Sequence, residues 1–370
     1  MKKQDLQESN QTKTSRLSAT KNRIRLHNLF PTLLLAAMLT LFVTFTALPH
    51  GNLTESDSGM SSEDNDSILP IIAWFSKHDT MTYWISEGNW KFDGTDTVKT
   101  LGVYTKVMIT VTDSTKKGYK MEYKFLEFSM DTDTKSEMQD FMQKTIHQLQ
   151  KEVVGTTIKF RTDETGKIIK YDNLKKVEKQ TKHVFDEIIQ ESSFTDNLAS
   201  TNINADEFFK SIDARELVKK SYMEELELLF QYHGYQFPLK ETTMHEEATD
   251  TQYESDTYTS TTIDPENYEY DVIVNIKNYI PKQDVKQLLG AVIDTFTDNK
   301  EATALKEEMN AGVDEQITED AVYNEFLHMK YFPDGWPKEI VSQKSTFIGN
   351  KGKLKQKYIT WDYRSVGNSN

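Results

Sequence analysis

Between residues 118 and 128 the chain reads GYKMEYKFLEF. In an extended strand, successive side chains point to opposite faces, so Tyr119, Met121, Tyr123 and Phe125 share one side and Lys120, Glu122 and Lys124 the other. The stretch NYEYDVIVNIKN at 267–278 repeats the pattern, with Tyr268, Tyr270, Val272, Val274 and Ile276 against Glu269, Asp271, Asn275 and Lys277. A strict period of two cannot sit still as a helix, and it marks antiparallel strands that are dry on one face and wet on the other. Similar runs predict strands at about 80–92, 102–112, 154–162, 167–171, 239–248, 252–262, 321–331, 338–348 and 354–362.

Helical periodicity interrupts the strands. Thr134-x-x-Glu137 is a capping box before an apolar face of Met138, Phe141, Met142, Ile146, Leu149 and Val153. Asn173 is placed to cap a second helix carrying Leu174, Val177, Val184, Phe185, Ile188 and Ile189. Asn204-x-x-Glu207 and Asp213-x-x-Glu216 open a third, reaching about Gln231, and Pro281 starts a fourth with Val285, Leu288, Leu289, Val292 and Phe296 on one side.

Two stretches of the chain run in parallel. In each a strand precedes a helix, and then a strand, a glycine turn and a strand follow: Asp163-Glu-Thr-Gly166 in the first, Phe332-Pro-Asp-Gly335 in the second. The expected fold is α+β: a curved antiparallel sheet packed with helices, built from a β-β-α-β-β unit that is either duplicated or repeated by chance.

An apolar run sits upstream. Leu29 to Leu48 carries no charge over 20 residues, the span of a bilayer core. Seven basic and two acidic groups precede it, while Glu55, Asp57, Glu63, Asp64 and Asp66 follow with no basic residue before Lys77. The positive-inside rule then leaves the N-terminus in the cytoplasm and the rest extracytoplasmic, at the periplasm or cell surface. The alternative is a cleaved signal peptide, whose apolar region is shorter, about 7–15 residues. The expected organisation is a basic cytoplasmic tail at 1–28, a transmembrane helix at 29–48, an acidic flexible linker at 49–70 and an extracytoplasmic domain at 71–370. Seven of the 44 basic groups lie in the first 50 residues, so the remainder carries a net charge of -19. That acidity argues against a nucleic-acid partner, which needs concentrated positive charge.

The sequence carries little reactive chemistry. With no cysteine there is neither a disulfide nor a thiolate site. No HExxH, Gly-x-Ser-x-Gly, phosphate loop or dinucleotide fingerprint occurs. His245-Glu246-Glu247, with His233 upstream, is the densest candidate for a metal, and solvated side chains are the plainer reading. Asp131-x-Asp133 begins like a calcium loop but lacks its glycine and closing glutamate. No catalytic residue, metal or cofactor is therefore expected, and the absence of motifs points to binding or structural work, with an unrecognised hydrolase the remaining alternative. Lys351, Lys353, Lys355 and Lys357 alternate along one strand face. They read either as a solvated face or edge-strand protection, or as a contact for an anion or a lipid headgroup.

The layout resembles uncharacterised bacterial envelope proteins and, more distantly, periplasmic lipoprotein carriers. The residues that carry the resemblance are the export segment, the long alternating strands, the Gly166-Lys-Ile168 hairpin leading to Asn173-Leu174, and the Asp334-Gly335-Trp336-Pro337 turn. It covers about 80–362 as a layout. Those carriers are similar to half-open barrels that shelter acyl chains, so the resemblance implies a scaffold for a hydrophobic ligand or a partner, without chemistry. The apolar anchor and an acidic insertion at about 298–320 depart from it.

On this reading the chain is a membrane-anchored binding protein for a lipid or other apolar ligand, or an envelope interaction module without a cavity. The ligand-lining candidates are Tyr119, Met121, Tyr123, Phe125, Tyr268, Tyr270, Val272 and Val274, which ordinary core packing would equally explain.

Overall fold

A computed structural model describes residues 68–131, 154–191, 223–250, 252–287 and 320–367, with isolated helical positions at 290, 303, 306, 307 and 310. The apolar run at 29–48, the linker before Ile68, the helix expected from Thr134, the third expected helix up to residue 222, and most of the acidic insertion lie outside the described residues, while the end of the third helix is described. Among the described residues, no helix is long and apolar enough to cross a membrane. The chain divides into two compact units. The smaller comprises Met1–Pro49, Asp196–Phe208 and Gln283–Gln316, and contributes little beyond the first helical residues after Pro281.

Among the described residues the larger unit is an open antiparallel sheet with few helices. In chain order its elements are β1 (Ile68–Pro70), β2 (Thr80–Asp93), β3 (Asp96–Thr115), β4 (Gly118–Asp131), β5 (Thr157–Thr162), β6 (Ile168–Tyr171), α1 (Leu174–Glu191), α2 (Glu224–Leu229), β7 (Gln236–Pro238), β8 (Thr242–Glu246), β9 (Glu254–Ile263), β10 (Tyr270–Ile280), β11 (Ala321–Tyr331), β12 (Pro337–Ile348) and β13 (Lys351–Ser365). Eleven strands form one sheet in the order β6-β5-β4-β3-β2-β13-β12-β11-β10-β9-β8, and β1 pairs with β7 separately. Each strand read from the period of two is present. The two that were not read, β1 and β7, have three residues each, too short to show a period.

The α+β expectation is met in its sheet, and of the expected helices the described residues hold α1, α2 and the first turns after Pro281. α1 begins where expected, but the Asn173 side chain does not cap it. Its Oδ1 accepts from the Lys159 amide at 2.8 Å and its Nδ2 donates to the Thr157 carbonyl at 2.8 Å, tying the helix start to β5.

The two parallel stretches are arranged alike in space. β4 pairs with β5 and β10 with β11, both antiparallel, and each second strand turns through a positive-φ glycine into a third. Both turns reach one strap of chain: Ala73 donates its amide to Thr165 at 2.8 Å, and Trp74 donates to Asp334 at 2.9 Å. In sheet order β5 and β12 are separated by β4, β3, β2 and β13. Five inter-strand steps would put them about 24 Å apart in a flat sheet. Consecutive residues are only about 3.8 Å apart, so meeting both turns requires the sheet to curl at this end.

The curl encloses one core. Inner-face residues Tyr83, Ile85, Val107, Ile109, Met121, Tyr123, Ile158, Phe160, Val272, Met329, Tyr331 and Ile340 are buried against Ile71, Ala73 and Phe75 of the strap and against Leu226, Leu229 and Phe230 of α2 and the turn after it. Phe75 stacks on Trp336 with ring centroids 4.0 Å apart, and Tyr119 donates its hydroxyl to the Ala73 carbonyl at 2.8 Å. Burying each such large apolar side chain contributes about 1.5–3 kcal/mol, before the entropy of ordering it is counted.

Candidate functional site

The ligand-lining candidates fall into this core. Tyr119, Met121, Tyr123, Phe125, Tyr270, Val272 and Val274 are all buried, on the inner face as the alternation required. The strap and α2 cover that face, so a ligand at these positions would have to displace the protein's own chain. Tyr268 is placed differently: it lies outside β10, at φ 59°, and is 68% exposed. Its amide donates to Asp264 at 2.9 Å, closing a tight loop that removes it from the strand.

Away from the strap the inner face changes character. On β2 the inward positions after Ile85 are Glu87, Asn89 and Lys91, and they stand opposite Lys357, Lys355 and Lys353 of β13. β13 lies between β2 and β12, so its lysine row is not on an edge strand, and it runs from exposed Lys351 to buried Lys357. The alternation was read correctly, but edge protection does not describe it. Ile359 belongs to the core, and its partners in register force every second residue toward Lys351 onto the same inner face.

The four lysines meet four environments. Lys351 is exposed, 3.8 Å from Asp93. Lys357 is buried, with Nζ 3.2 Å from Glu87, 3.1 Å from Glu224 and 2.5 Å from Glu225. Lys355 reaches Glu87 at 3.3 Å and Glu224 at 3.1 Å. Beside them Lys344 pairs with Glu325 at 3.3 Å. Lys353 is half-buried opposite Lys91, and among the described residues no carboxylate lies within ion-pair distance of it. Burial, reinforced by the Lys91 charge, lowers its pKa to about 8.

The carboxylates respond to the same network. Burial alone would raise Glu224, but Lys357 and Lys355 outweigh it and hold it well below the usual carboxylate range. Glu225 is raised, mainly by burial and further by Glu224, despite the pull of Lys357. Lys357 is raised well above an ordinary lysine: the carboxylates around it more than offset its desolvation. Glu87, Glu224 and Glu225 have the mutual spacing of a metal site. The ammonium groups of Lys355 and Lys357 already contact them, however, so two of the three charges are balanced without an ion. No sequence signal could have found this cluster, because β2, α2 and β13 meet only through tertiary packing.

The histidines separate. His233 is fully buried among Phe75, Phe230 and Tyr331, and its Nε2 is 3.0 Å from the Gly335 carbonyl. Burial lowers its pKa to about 4. His245 lies on β8, with Nδ1 2.8 Å from Asp256 and Nε2 3.5 Å from Glu247. Asp256 also accepts the Tyr279 hydroxyl at 2.7 Å. Of the candidate cluster, His245 and Glu247 approach one another, while His233 is held in the core by a different set of partners. Asp131 closes β4, and the rest of the calcium-like stretch lies outside the described residues.

Neither a family model nor a curated protein matches the chain. Among solved structures, a chain from a structure of lipid–protein interactions in lipovitellin is similar in fold at a TM-score of 0.38 and 9% identity. The similarity covers 80% of this chain and 26% of that one, so this chain spans about a quarter of its length.

Proposed function

We propose that this is a membrane-tethered, extracytoplasmic binding protein whose curled sheet takes a ligand bearing an anionic group on the inner face away from the strap. The carrying observation is Lys353. It is a half-buried lysine on a central strand, paired in register with a second lysine and with no carboxylate in reach among the described residues. An unneutralised cation held inside a fold costs free energy, and an anionic ligand would offset that cost. Val103 and Phe128 stand half-buried on the neighbouring strands of the same face and would contact an apolar portion of the ligand. The aromatic core acts as the support, and the charged floor acts as the site. Tethering rests on the uncharged run from Leu29 to Leu48 and the charge bias around it.

The test is native mass spectrometry of the full chain extracted in mild detergent. A co-purifying anionic amphiphile that is lost from Lys353→Gln supports the reading. The absence of any adduct, or an adduct indifferent to that substitution, counts against it.

The outer face favours a second reading. Tyr104 and Tyr358 flank Ser86 in register, next to Trp84, and all three aromatics are more than a third exposed. Such a row fits a protein partner. In that case Tyr104→Asp with Tyr358→Asp breaks a complex that Lys353→Gln leaves intact.

A further inference from the structure

The strap end of the sheet carries exposed aromatic and apolar side chains in one place. Trp74 on the strap is 70% exposed, and at the end of β13 Trp361, Tyr363 and Val366 are 38%, 58% and 59% exposed. The chain around them is tied together. The Trp74 amide is bonded to the Asp334 carbonyl, Asp334 is paired with Arg364, and Arg364 lies over the Phe332 ring at 4.9 Å. Phe332 in turn packs on Trp361 at 5.4 Å, and Gly367 donates its amide to Asp79 at 2.7 Å. An exposed tryptophan on such a support loses hydrophobic stabilisation for no gain in folding, which is what a contact surface does.

The charges at this end are mixed where the rest of the body is acidic, with Glu164 of the first turn exposed among the lysines. Lys77, Lys116 and Lys117 are exposed, and the hairpin bearing the last two is fastened to the strap by the Ser114 hydroxyl, which donates to the Phe75 carbonyl at 3.2 Å. Other nearby acids are engaged elsewhere: Asp113 with Lys120 at 2.8 Å, Asp334 with Arg364, and Asp79 with the amides of Ser76 and Gly367. A rim of tryptophan, tyrosine and valine backed by lysine, on a body of strongly negative net charge, is complementary to a lipid–water interface. There aromatic rings sit at headgroup level and basic groups meet lipid phosphates.

Chain length agrees. The apolar run ends at Leu48, 20 residues before Ile68 along the chain. Trp74 follows Ile68 by six residues along the strap. Trp74 is thus the rim residue nearest along the chain to the expected anchor.

We infer that the strap-end rim, centred on Trp74, Tyr363 and Val366, docks on the headgroup region of the bilayer that holds the chain. The inference rests on the tethering reading above. Docking would hold the sheet with its strap end toward the membrane and its charged floor open away from it.

The absence of cysteine makes the test direct. Single-cysteine variants Trp74→Cys and Val366→Cys, with Asn350→Cys at the opposite end and Ala36→Cys in the apolar run, are spin-labelled. The full chain is then placed in vesicles of phosphatidylcholine with a minority of phosphatidylglycerol. Relaxation by oxygen, which partitions into lipid, is compared with relaxation by a water-soluble nickel chelate. Docking gives a several-fold higher oxygen-to-nickel ratio at positions 74 and 366 than at 350. Labels at 74 and 366 that match 350, while 36 reports lipid, overturn the docking and leave the anchor standing. Labels at 74 and 366 shielded from both reagents indicate a protein partner and also overturn it. A nickel-accessible label at 36 removes the tether, and the docking with it. The two rim positions guard against one variant misfolding.

Discussion

Lys357→Met tests the charged floor most directly. The substitution keeps the length of the side chain and removes an ammonium group that three carboxylates contact, the closest at 2.5 Å. Glu87, Glu224 and Glu225 would then face one another with Lys355 as their remaining cation. Removing one partner from a buried ion network typically costs about 3–5 kcal/mol, because the other charges stay buried without compensation. For a domain of this size that corresponds to a melting temperature lowered by roughly 6–20 °C.

The pH dependence separates this cause from lost packing. Without Lys357 the carboxyl groups acquire folded-state pKa values above the unfolded value of about 4.3. A raised carboxyl pKa gives stability that is present at low pH and lost as pH rises through the folded value. The variant's deficit relative to wild type is therefore largest near pH 8 and shrinks toward pH 5. Urea unfolding of both proteins at the two pH values measures it, and other titrating groups cancel in the difference. Adding Glu225→Gln to Lys357→Met should recover part of the loss, since the pair is coupled. A deficit under about 1 kcal/mol at pH 8, or one equal at both pH values, would refute the reasoning.

Three further outcomes follow from the geometry. His233 has a pKa of about 4 in the folded chain against about 6.5 unfolded, so acidification protonates the unfolded state first. About 3 kcal/mol of stability should be lost between pH 6.5 and 4, and a pH series of urea midpoints should show that slope vanish in His233→Gln. Gly335 sits at φ +85°, where a Cβ would come within 2.3 Å of the Ile72 carbonyl oxygen, so Gly335→Ala should cost at least about 1–2 kcal/mol by thermal unfolding, against nearly nothing for an exposed glycine of ordinary φ. Lys353, with a pKa of about 8, should react with acetic anhydride in competitive labelling at near-neutral pH faster than exposed lysines. Lys91→Met should move its pKa upward without restoring it fully, because burial is the larger cause.

Much of this fold is legible from residue spacing because the physics is local. Strand faces follow from the pleat, so the burial of Tyr119, Met121, Tyr123 and Phe125 on one side of β4 was readable from four alternating letters. The glycine turns at Gly166 and Gly335 were readable because positive φ leaves few alternatives to glycine. Tyr268 escaped the same reasoning: its alternation with Tyr270 is real, but the loop bond to Asp264 takes it off the strand.

The alternation also placed Lys351, Lys353, Lys355 and Lys357 on one face, but it carries no information on which strand lies beside β13. That neighbour decides everything about them. The first and last long strands of the chain, β2 and β13, pair in the middle of the sheet, which turns an expected solvated row into a floor that passes from exposed Lys351 to buried Lys357. α2 then brings Glu224 and Glu225 more than a hundred residues along the chain to meet it. Periodicity, charge bias and turn chemistry are properties of neighbouring residues, so the sequence by itself determined the strands, their wet and dry faces, and an orientation for the apolar run as an expectation. The order of strands, the strap that draws two distant turns together, and the charges that neutralise Lys355 and Lys357 but leave Lys353 facing Lys91 are decided by contacts between segments remote in the chain, which only the tertiary structure brings into register.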